Sequence, residues 1–268
     1  MSLIEIKNLN KTYHSTEGFF FRKSRRNRTI KNISFQIEQN EIFGLVGESG
    51  SGKTTLGQCL LRFIKPDSGE FLFNGIDVLK LPANQFRKIR PDMQMIFQNP
   101  ALALNPRQTV NACIAEALLV REKIGRQQLN QKVADLLKQI GLSADLSSRF
   151  PEELSGGQQQ RVVIARALAA SPKFLIADEP TSSLDAALKK QIITLLKNMQ
   201  QQYGLSVLFI SHDLAVVARI ADRIGVMQNG EFVEMASRDE LLNRPKHEYT
   251  RLLLESAQYG RINKNNSE

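Results

Sequence analysis

The spacing of apolar and polar residues predicts strands at both ends of the chain. Residues 3–9 and 29–38 alternate between apolar and polar side chains, which is typical of neighbouring strands in an antiparallel sheet. Four mainly apolar runs predict buried strands instead. These runs lie at residues 42–46, 93–97, 174–177 and 206–210. The chain is therefore predicted to contain both half-exposed and fully buried strands.

Two turn signals lie among these strands. Residues 67–70, Asp-Ser-Gly-Glu, predict a turn ahead of a short strand at 71–73. Asn229-Gly230 separates the apolar segments 225–227 and 231–233, and Asn-Gly between such segments is a strong signal for a hairpin. We therefore expect a two-residue hairpin turn near the C-terminal end.

Between residues 105 and 170 the apolar positions change to helical spacing. Two apolar faces repeat every three or four residues, and Gly141 stands where a helix C-cap is expected. The faces consist of Val110, Ile114, Ala117 and Leu118, and of Leu129, Val133, Leu136, Leu137 and Ile140. Since strands lie on both sides of this block, we expect a helical subdomain inserted into an α/β domain. The sheet of that domain is predicted to be mainly parallel, with its sites at the strand C-termini.

A glycine-rich segment follows the strand predicted at 42–46, and a helical pattern runs on from Thr55 to Ile64. The segment matches Gly-x4-Gly-Lys-Thr and reads Gly47-Glu48-Ser49-Gly50-Ser51-Gly52-Lys53-Thr54. A strand, such a loop and a helix form a phosphate cradle, because backbone N–H groups and the helix N-terminus then face one anion. Lys53 is predicted to reach the β- and γ-phosphates and Thr54 to hold Mg²⁺. A glycine-rich turn with a surface lysine is the alternative, but the flanking strand and helix favour binding of a nucleoside triphosphate.

The composition is that of an ordinary globular chain. Of 268 residues, 42% are apolar and 24% are charged, and no apolar run approaches the length of a membrane span. The N-terminus has no long apolar core, so we expect the protein to stay in the cytosol. Cys59 and Cys113 lack metal-ligand spacing and are predicted to be buried thiols. The net charge of +9 includes a cluster at residues 19–28, which is either a solvated loop or a contact with lipid headgroups or a membrane partner.

Two acids, Asp178 and Glu179, directly follow the strand predicted at 174–177. In an NTPase fold that end of the strand faces the phosphate loop. Asp178 is then predicted to complete the Mg²⁺ shell and Glu179 to polarise the attacking water. Two acids after a strand are also typical of a turn or a helix cap. The loop around Lys53 favours the catalytic interpretation.

A second helix start has the character of an anion site. Ser155 is predicted to cap this helix, while Gly156 and Gly157 expose backbone N–H groups. The alternative is an ordinary helix start. Because the chain already has one phosphate loop, the second cradle is predicted to serve another nucleotide.

Taken in order, these motifs resemble the nucleotide-binding subunit of ATP-binding cassette (ABC) transporters over nearly the whole chain. The residues that carry the resemblance are Tyr13, Gly47–Thr54, Gln98, Leu154–Gln158, Asp178-Glu179, Ser183-Leu184-Asp185 and His212. The resemblance implies an ABC-type P-loop NTPase domain, with a mainly parallel core sheet, an antiparallel β subdomain and the inserted helical subdomain. This domain is expected over residues 1–245, with the helical subdomain at about 105–170 and a C-terminal tail at 246–268.

The resemblance also implies a head-to-tail dimer that holds two ATP molecules between its subunits. The phosphate loop of one subunit then faces Ser155 and Gly157 of the other. The residues implied to bind ATP are Tyr13, Gly47, Glu48, Ser49, Gly50, Ser51, Gly52, Lys53, Thr54, Thr55, Ser155, Gly156, Gly157, Gln158 and Asp185. The residues implied to hold Mg²⁺ are Thr54, Gln98 and Asp178. The residues implied to act in hydrolysis are Glu179, His212 and Gln98.

Individual roles follow from the same resemblance. Tyr13 matches the aromatic residue that stacks on adenine, although a tyrosine at a strand end is also common in a core. Gln98 matches the residue that senses Mg²⁺ and water, and His212 the one that contacts the γ-phosphate. Asp185 matches the loop that couples the two sites of the dimer.

Two further segments resemble the peptide and nickel importers within this family. Phe97-Gln98-Asn99-Pro100 with 104–107, Leu-Asn-Pro-Arg, is similar to the pattern of that subgroup after its glutamine. Residues 244–253 resemble its C-terminal motif Pro-x-His-x-Tyr-Thr-x-x-Leu-Leu, although a surface helix start has the same local features. The segment 185–190, Asp-Ala-Ala-Leu-Lys-Lys, departs from the family by being more basic.

The implied function is an ATPase subunit that powers import of a peptide or a nickel-type metal chelate through separate membrane permeases. Such a subunit binds at the cytoplasmic face of the plasma membrane and pairs with a second ATPase subunit, either a paralogue or a second copy of itself, and the subgroup favours a paralogue. An extracytoplasmic binding protein delivers the solute, and no nucleic acid takes part. The alternative is a soluble ABC ATPase that acts on nucleic acid or ribosomes, but such proteins usually carry two cassettes or a long coiled coil. The solute and the choice between homodimer and heterodimer stay open.

Overall fold

The structure, a computed structural model, describes residues 2–17 and 23–265. Its strands are β1 Ser2–Glu17, β2 Lys23–Glu38, β3 Ile42–Val46, β4 Ser68–Phe73, β5 Ile76–Asp77, β6 Met93–Ile96, β7 Phe174–Asp178, β8 Ser206–Ser211, β9 Arg223–Gln228 and β10 Glu231–Ser237. Its helices are α1 Lys53–Leu60, α2 Ala83–Ile89, α3 Pro100–Ala103, α4 Val110–Leu119, α5 Arg126–Gln139, α6 Gly156–Ala169, α7 Ala186–Tyr203, α8 Leu214–Ile220, α9 Arg238–Asn243 and α10 Glu248–Asn265. Short 3-10 helices lie at Arg90–Asp92, Ala144–Ser148 and Pro151–Glu153.

The basic cluster at residues 19–28 lies only partly within the described residues. Residues 19–22 are not among the described residues, and residues 23–28 belong to β2. The role of the cluster therefore stays open. None of the described helices combines the length and the apolar character that a membrane crossing requires.

The chain divides into two compact units, and the first consists of Met1–Pro82 and Leu208–Glu268. Its antiparallel sheet has the strand order β2-β1-β4-β5. Ile4 of β1 pairs with Ile37 of β2 and with Phe73 of β4, and these side chains are almost fully buried. The predicted antiparallel strands at 3–9 and 29–38 are confirmed, and both continue beyond the predicted ends.

The first unit also contains β10, β9, β3 and most of β8, and these strands are neighbours in this order in a second, mixed sheet. β3 and β9 run parallel, whereas β9 and β10 form the predicted hairpin. Asn229 and Gly230 both have positive φ angles, 50° and 86°, as a type I′ turn requires. Helix α8 packs on β3, and a Cβ on Gly44 would lie 2.2 Å from a methyl carbon of Val217 in α8. The close approach of helix and strand thus requires glycine at this position.

Two local predictions in this unit are wrong. Ser68, Gly69 and Glu70 form the start of β4 rather than a turn, because Ser68 pairs with Asn10 and Glu70 with Lys7 of β1. The helix predicted to continue to Ile64 ends at Leu60. Arg62 has a left-handed φ of 55°, and its guanidinium donates hydrogen bonds to the carbonyl oxygens of residues 78 and 81. In both places contacts with residues distant in sequence override the local pattern.

The second unit comprises Ala83–Val207. In it β6 and β7 pair in parallel, and α4 packs against both α5 and α6. The predicted apolar faces are buried at Val110, Ile114, Val133 and Leu137. Gly141 follows Ile140, the residue that caps the C-terminus of α5, and has the left-handed φ of 71° that is typical of a glycine at a helix end. The helical content of residues 105–170 is as predicted, while the bounds of a separate subdomain there stay a prediction.

Candidate functional site

The phosphate loop lies between β3 and α1, in the first unit. Gly50 and Gly52 have left-handed φ angles of 82° and 104°, which glycine adopts without steric cost. A Cβ on Gly52 would lie 2.4 Å from the carbonyl oxygen of Thr29, whereas a Cβ on Gly50 would meet no atom within 4 Å. The loop therefore needs glycine at position 52 for packing, and at position 50 it leaves open space beside the backbone. Such open space is what a phosphate group would occupy in a cradle.

Lys53 is folded back onto this loop. Its ammonium donates hydrogen bonds to the carbonyl oxygens of Gly47, at 2.7 Å, and Glu48, at 2.8 Å. The hydroxyl oxygen of Ser51 lies 3.3 Å away. Lys53 is buried, so a positive charge is fixed at the loop, next to the N-terminus of α1. This arrangement attracts an anion, because the charge and the helix dipole have the same sign there.

Thr54 and Thr55 occupy the first turn of α1, directly after Lys53. Thr54 is exposed and Thr55 is partly exposed. A hydroxyl at the first turn of such a helix is in the place where a metal ion bound to phosphates takes an oxygen ligand.

The two predicted acids lie at the end of β7, in the second unit. Asp178 is the last residue of the strand, and both Asp178 and Glu179 are buried. Glu179 has a φ of 50°, a left-handed conformation that is uncommon outside glycine. The backbone N–H and the hydroxyl of Ser182 both donate to the carbonyl oxygen of Glu179, each at 3.2 Å. The turn that carries Glu179 is therefore held in a sparsely populated conformation, as is frequent at functional sites.

The second helix start has the predicted cap. The Ser155 hydroxyl accepts the N–H of Gln158 at 3.3 Å, and the Gln158 side chain accepts the N–H of Ser155 at 2.9 Å. This reciprocal pair is a capping box at the N-terminus of α6. A Cβ on Gly157 would lie 3.3 Å from both terminal methyl carbons of Leu188 in α7, whereas Gly156 faces open space. The end of α6 thus combines a rigid cap with an accessible glycine.

The remaining predicted residues lie at the ends of other elements. Asp185 caps α7, since its carboxylate accepts the N–H of Leu188 at 2.9 Å. The ring of Tyr13 is 40% exposed, which argues against a core tyrosine, and the Lys11 ammonium lies 5.5 Å from its centre. Gln98 follows β6 by two residues and His212 follows β8 directly, and both are exposed. The roles predicted for these residues in nucleotide binding stay predictions.

One residue that contacts the phosphate loop was missed as a site residue. The hydroxyl of Tyr249 accepts a hydrogen bond from the backbone N–H of Glu48 at 3.0 Å. From the sequence, Tyr249 is predicted only to be part of a C-terminal motif, with no role in the site. The resemblance of residues 244–253 to that motif is the one signal that pointed to this tyrosine.

Comparison with known proteins supports the same identification. A family model described as ABC transporter matches residues 30–182, more than half of the chain. Oligopeptide transport ATP-binding protein AppF of Bacillus subtilis is 41% identical over 256 residues, which cover 95% of this chain and 78% of that protein. Oligopeptide transport ATP-binding protein OppF of Streptococcus mutans is 46% identical over 256 residues, covering 94% and 80%.

A solved structure shares the fold. It is the ATP-binding cassette MJ0796, a dimer in a post-hydrolysis state bound to ADP and phosphate. This cassette aligns with a TM-score of 0.77 at 31% identity, over 88% of this chain and 98% of its own. The chain therefore belongs to the ABC transporter family and has the fold of its ATP-binding cassettes.

Proposed function

We propose that the chain hydrolyses ATP to drive import of peptides through separate membrane permeases. The observation that carries the proposal is the phosphate loop folded around Lys53, in a chain whose relatives are named oligopeptide transport ATP-binding proteins. Those names favour a peptide as the solute. Import of a nickel-type chelate is suggested only by the sequence resemblance. They equally favour transport over action on nucleic acid or ribosomes.

The phosphate loop is proposed to hold the triphosphate of ATP. Two carbonyl oxygens and the Ser51 hydroxyl hold the Lys53 ammonium at the loop, so its charge is already in place, and the ammonium is proposed to exchange part of these contacts for phosphate oxygens. The N-terminus of α1, which begins at Lys53, is proposed to add backbone N–H donors at the same place. Tyr13, whose ring is partly exposed, is proposed to stack on the adenine.

Mg²⁺ fits the donor set that the chain offers. The proposed ligands are the Thr54 hydroxyl, the Gln98 amide and the Asp178 carboxylate, all of them oxygen donors of the kind this ion prefers. The described residues hold no cluster of three or more His, Cys, Asp or Glu side chains suited to a metal, so phosphate and water are expected to complete the shell. Bound there, the ion would neutralise charge on the β- and γ-phosphates.

Glu179 is proposed to polarise the water that attacks the γ-phosphate. Its backbone is fixed by the two hydrogen bonds from Ser182, so the carboxylate is presented from a rigid turn. His212 is proposed to contact the γ-phosphate from the end of β8. These two roles rest on the family resemblance, and general-base catalysis of this kind contributes roughly 10²–10⁴-fold in rate.

A head-to-tail dimer is proposed to complete the site. The capped N-terminus of α6, with Ser155, Gly156, Gly157 and Gln158, would face the ATP bound to the partner subunit, and Asp185 would couple the two sites. The solved structures of the cassette MJ0796 are dimeric, which supports this arrangement. The partner is proposed to be a paralogous ATPase, and both subunits are proposed to lie at the inner face of the membrane, against two permeases fed by an extracytoplasmic binding protein.

The experiment that tests the proposal is purification of the tagged chain from gently solubilised membranes, followed by mass spectrometry. We expect two permeases and a second cassette ATPase to co-purify. Leu102 on α3 is 86% exposed and lies four residues after Gln98, so Leu102→Glu is expected to lose the permeases, whereas Val120→Glu at the end of α4 retains them. Recovery of ribosomes or nucleic acid without any membrane protein would overturn the proposed purpose of the ATPase.

A further inference from the structure

One peptide group of the phosphate loop is held from both sides. Its carbonyl oxygen, on Gly47, accepts the Lys53 ammonium at 2.7 Å. Its N–H, on Glu48, donates to the hydroxyl of Tyr249 at 3.0 Å. Because the two groups share one plane, rotation of this peptide would break both hydrogen bonds together. The orientation of the Gly47 carbonyl toward Lys53 therefore depends on Tyr249.

Tyr249 is buried, with 6% of its surface exposed. Water therefore has little access to replace its hydroxyl at the Glu48 N–H, and a buried donor that loses its partner is costly. Phenylalanine would fill the same space, so the hydroxyl is the feature that serves the loop rather than the fold.

The position of Tyr249 is fixed by a chain of hydrogen bonds that starts on β10. The Glu234 carboxylate accepts the backbone N–H groups of Lys246 at 2.9 Å and His247 at 3.0 Å. The Nδ1 atom of His247 then accepts the N–H of Tyr249 at 3.2 Å. The start of α10 is thereby fixed to the sheet, and α10 also packs against α8.

Glu234 is suited to this anchoring because it stays charged. Burial alone would raise its pKa, but the hydrogen bonds it accepts, including those from Lys246 and His247, hold the pKa below its ordinary value. Hydrogen bonds to a charged acceptor are the stronger kind. The anchor, meaning the hydrogen bonds that the Glu234 carboxylate accepts from Lys246 and His247, is therefore at full strength at neutral pH.

We propose that Tyr249 is a positioning residue for the phosphate loop, through which the C-terminal segment 245–250 sets the affinity of the chain for nucleotide. The hydroxyl holds the Gly47–Glu48 peptide so that its carbonyl faces Lys53, and Glu234 and His247 hold the tyrosine. The effect on ATP rests on the proposed function, whereas the contact itself does not.

The test compares Tyr249→Phe with Tyr203→Phe in the full chain. Tyr203 is the matched control, since its hydroxyl bonds to the side chain of Gln139. Hydrogen–deuterium exchange of the Glu48 amide is measured without nucleotide, and binding of a fluorescent ADP analogue is measured by titration. Loss of one hydrogen bond is expected to speed Glu48 exchange and raise the Kd, each by about two- to tenfold, in Tyr249→Phe. Tyr203→Phe is expected to change neither.

A second variant tests the anchor. Glu234→Gln keeps the shape of the side chain and removes its charge, so it is expected to raise the Kd in the same direction as Tyr249→Phe. The Kd of the double variant is expected to be no higher than the higher Kd of the two single variants, because both substitutions act through one chain of contacts.

The outcomes separate this proposal from the proposed function. Unchanged Glu48 exchange in Tyr249→Phe would overturn the contact, and faster exchange with an unchanged or lower Kd would overturn the positioning role. A wild-type chain that binds no nucleotide would instead refute the proposed function, while the exchange of Glu48 would still decide whether the hydroxyl holds the loop.

Discussion

The ammonium nitrogen of Lys53 lies 2.7 Å from the carbonyl oxygen of Gly47, the residue that opens the phosphate loop. The backbone of the phosphate loop is thus hydrogen-bonded to the lysine that supplies the positive charge of the loop. A change at either end of this hydrogen bond is therefore expected to alter nucleotide binding.

Replacement of Lys53 with methionine keeps the length of the side chain and removes its charge. We expect binding of a fluorescent ATP analogue to weaken at least about tenfold, since a charge-assisted hydrogen bond is worth about 1.5–3 kcal/mol. Lys7→Met is the control, because Lys7 is exposed and pairs with Glu5. Equal affinity of the Lys53 variant and the wild type would contradict the assignment of the loop.

Ser155 has a structural and a proposed functional role that substitutions separate. Ser155→Ala removes the N-cap of α6 and is expected to cost about 1 kcal/mol of unfolding free energy, measured by urea denaturation. Ser155→Asn restores a capping oxygen and is expected to regain that stability. Steady-state ATP turnover is expected to stay low in both variants. Alanine lacks the hydroxyl that is proposed to face the partner's phosphate, and the asparagine side chain is larger than serine at that place. Full ATP turnover in Ser155→Asn would show that Ser155 acts only as the N-cap of α6.

Acid should weaken the anchor at Glu234. Its pKa is lower in the folded than in the unfolded protein, so its stabilising contribution is complete above the unfolded value of about 4.3 and is lost as the pH falls through the folded value. We expect Glu234→Gln to destabilise the chain by about 1–3 kcal/mol at neutral pH. The difference from wild type is expected to shrink as the pH falls below the unfolded value of about 4.3.

The control for this prediction is Glu231→Gln, since Glu231 is exposed and its Lys31 partner lies 3.7 Å away. Urea denaturation at several pH values measures all three proteins. A destabilisation by Glu234→Gln that is constant with pH would show that the carboxylate charge plays no part.

Elements with a complete local signal were predictable from the sequence. Strand β3, the glycine-rich loop and the Asn229-Gly230 hairpin were each specified by neighbouring residues, because periodicity and positive φ angles are local requirements. The acids after β7 were predictable for the same reason, since a motif places them at a strand end.

The features that the sequence did not predict depend on distant residues. Ser68–Glu70 form a strand because they pair with β1, and α1 ends early where Arg62 bonds to carbonyl groups beyond β5. The contact between Tyr249 and Glu48 joins residues about 200 positions apart. Local patterns carry no information about such pairs, so only the structure reveals them.

The proposed role of Glu179 predicts a separation of binding from turnover. Glu179→Gln is expected to keep ATP affinity within about twofold, and to lower steady-state hydrolysis by about 100-fold or more. The trapped closed dimer is expected to appear by size-exclusion chromatography with ATP. Glu122→Gln is the control, because Glu122 is an exposed partner of Lys132. Normal hydrolysis by Glu179→Gln would show that another group activates the water.

Uptake of a labelled tripeptide by cells is the measurement that tests the central claim most directly. The native gene is replaced by Glu179→Gln or by Glu122→Gln, with equal protein levels checked by immunoblot. Peptide uptake is predicted to fall to background with Glu179→Gln, to stay normal with Glu122→Gln, and nickel uptake to be unaffected by either. Peptide uptake at the wild-type rate in the Glu179→Gln cells would contradict the claim that ATP hydrolysis by this chain drives peptide import.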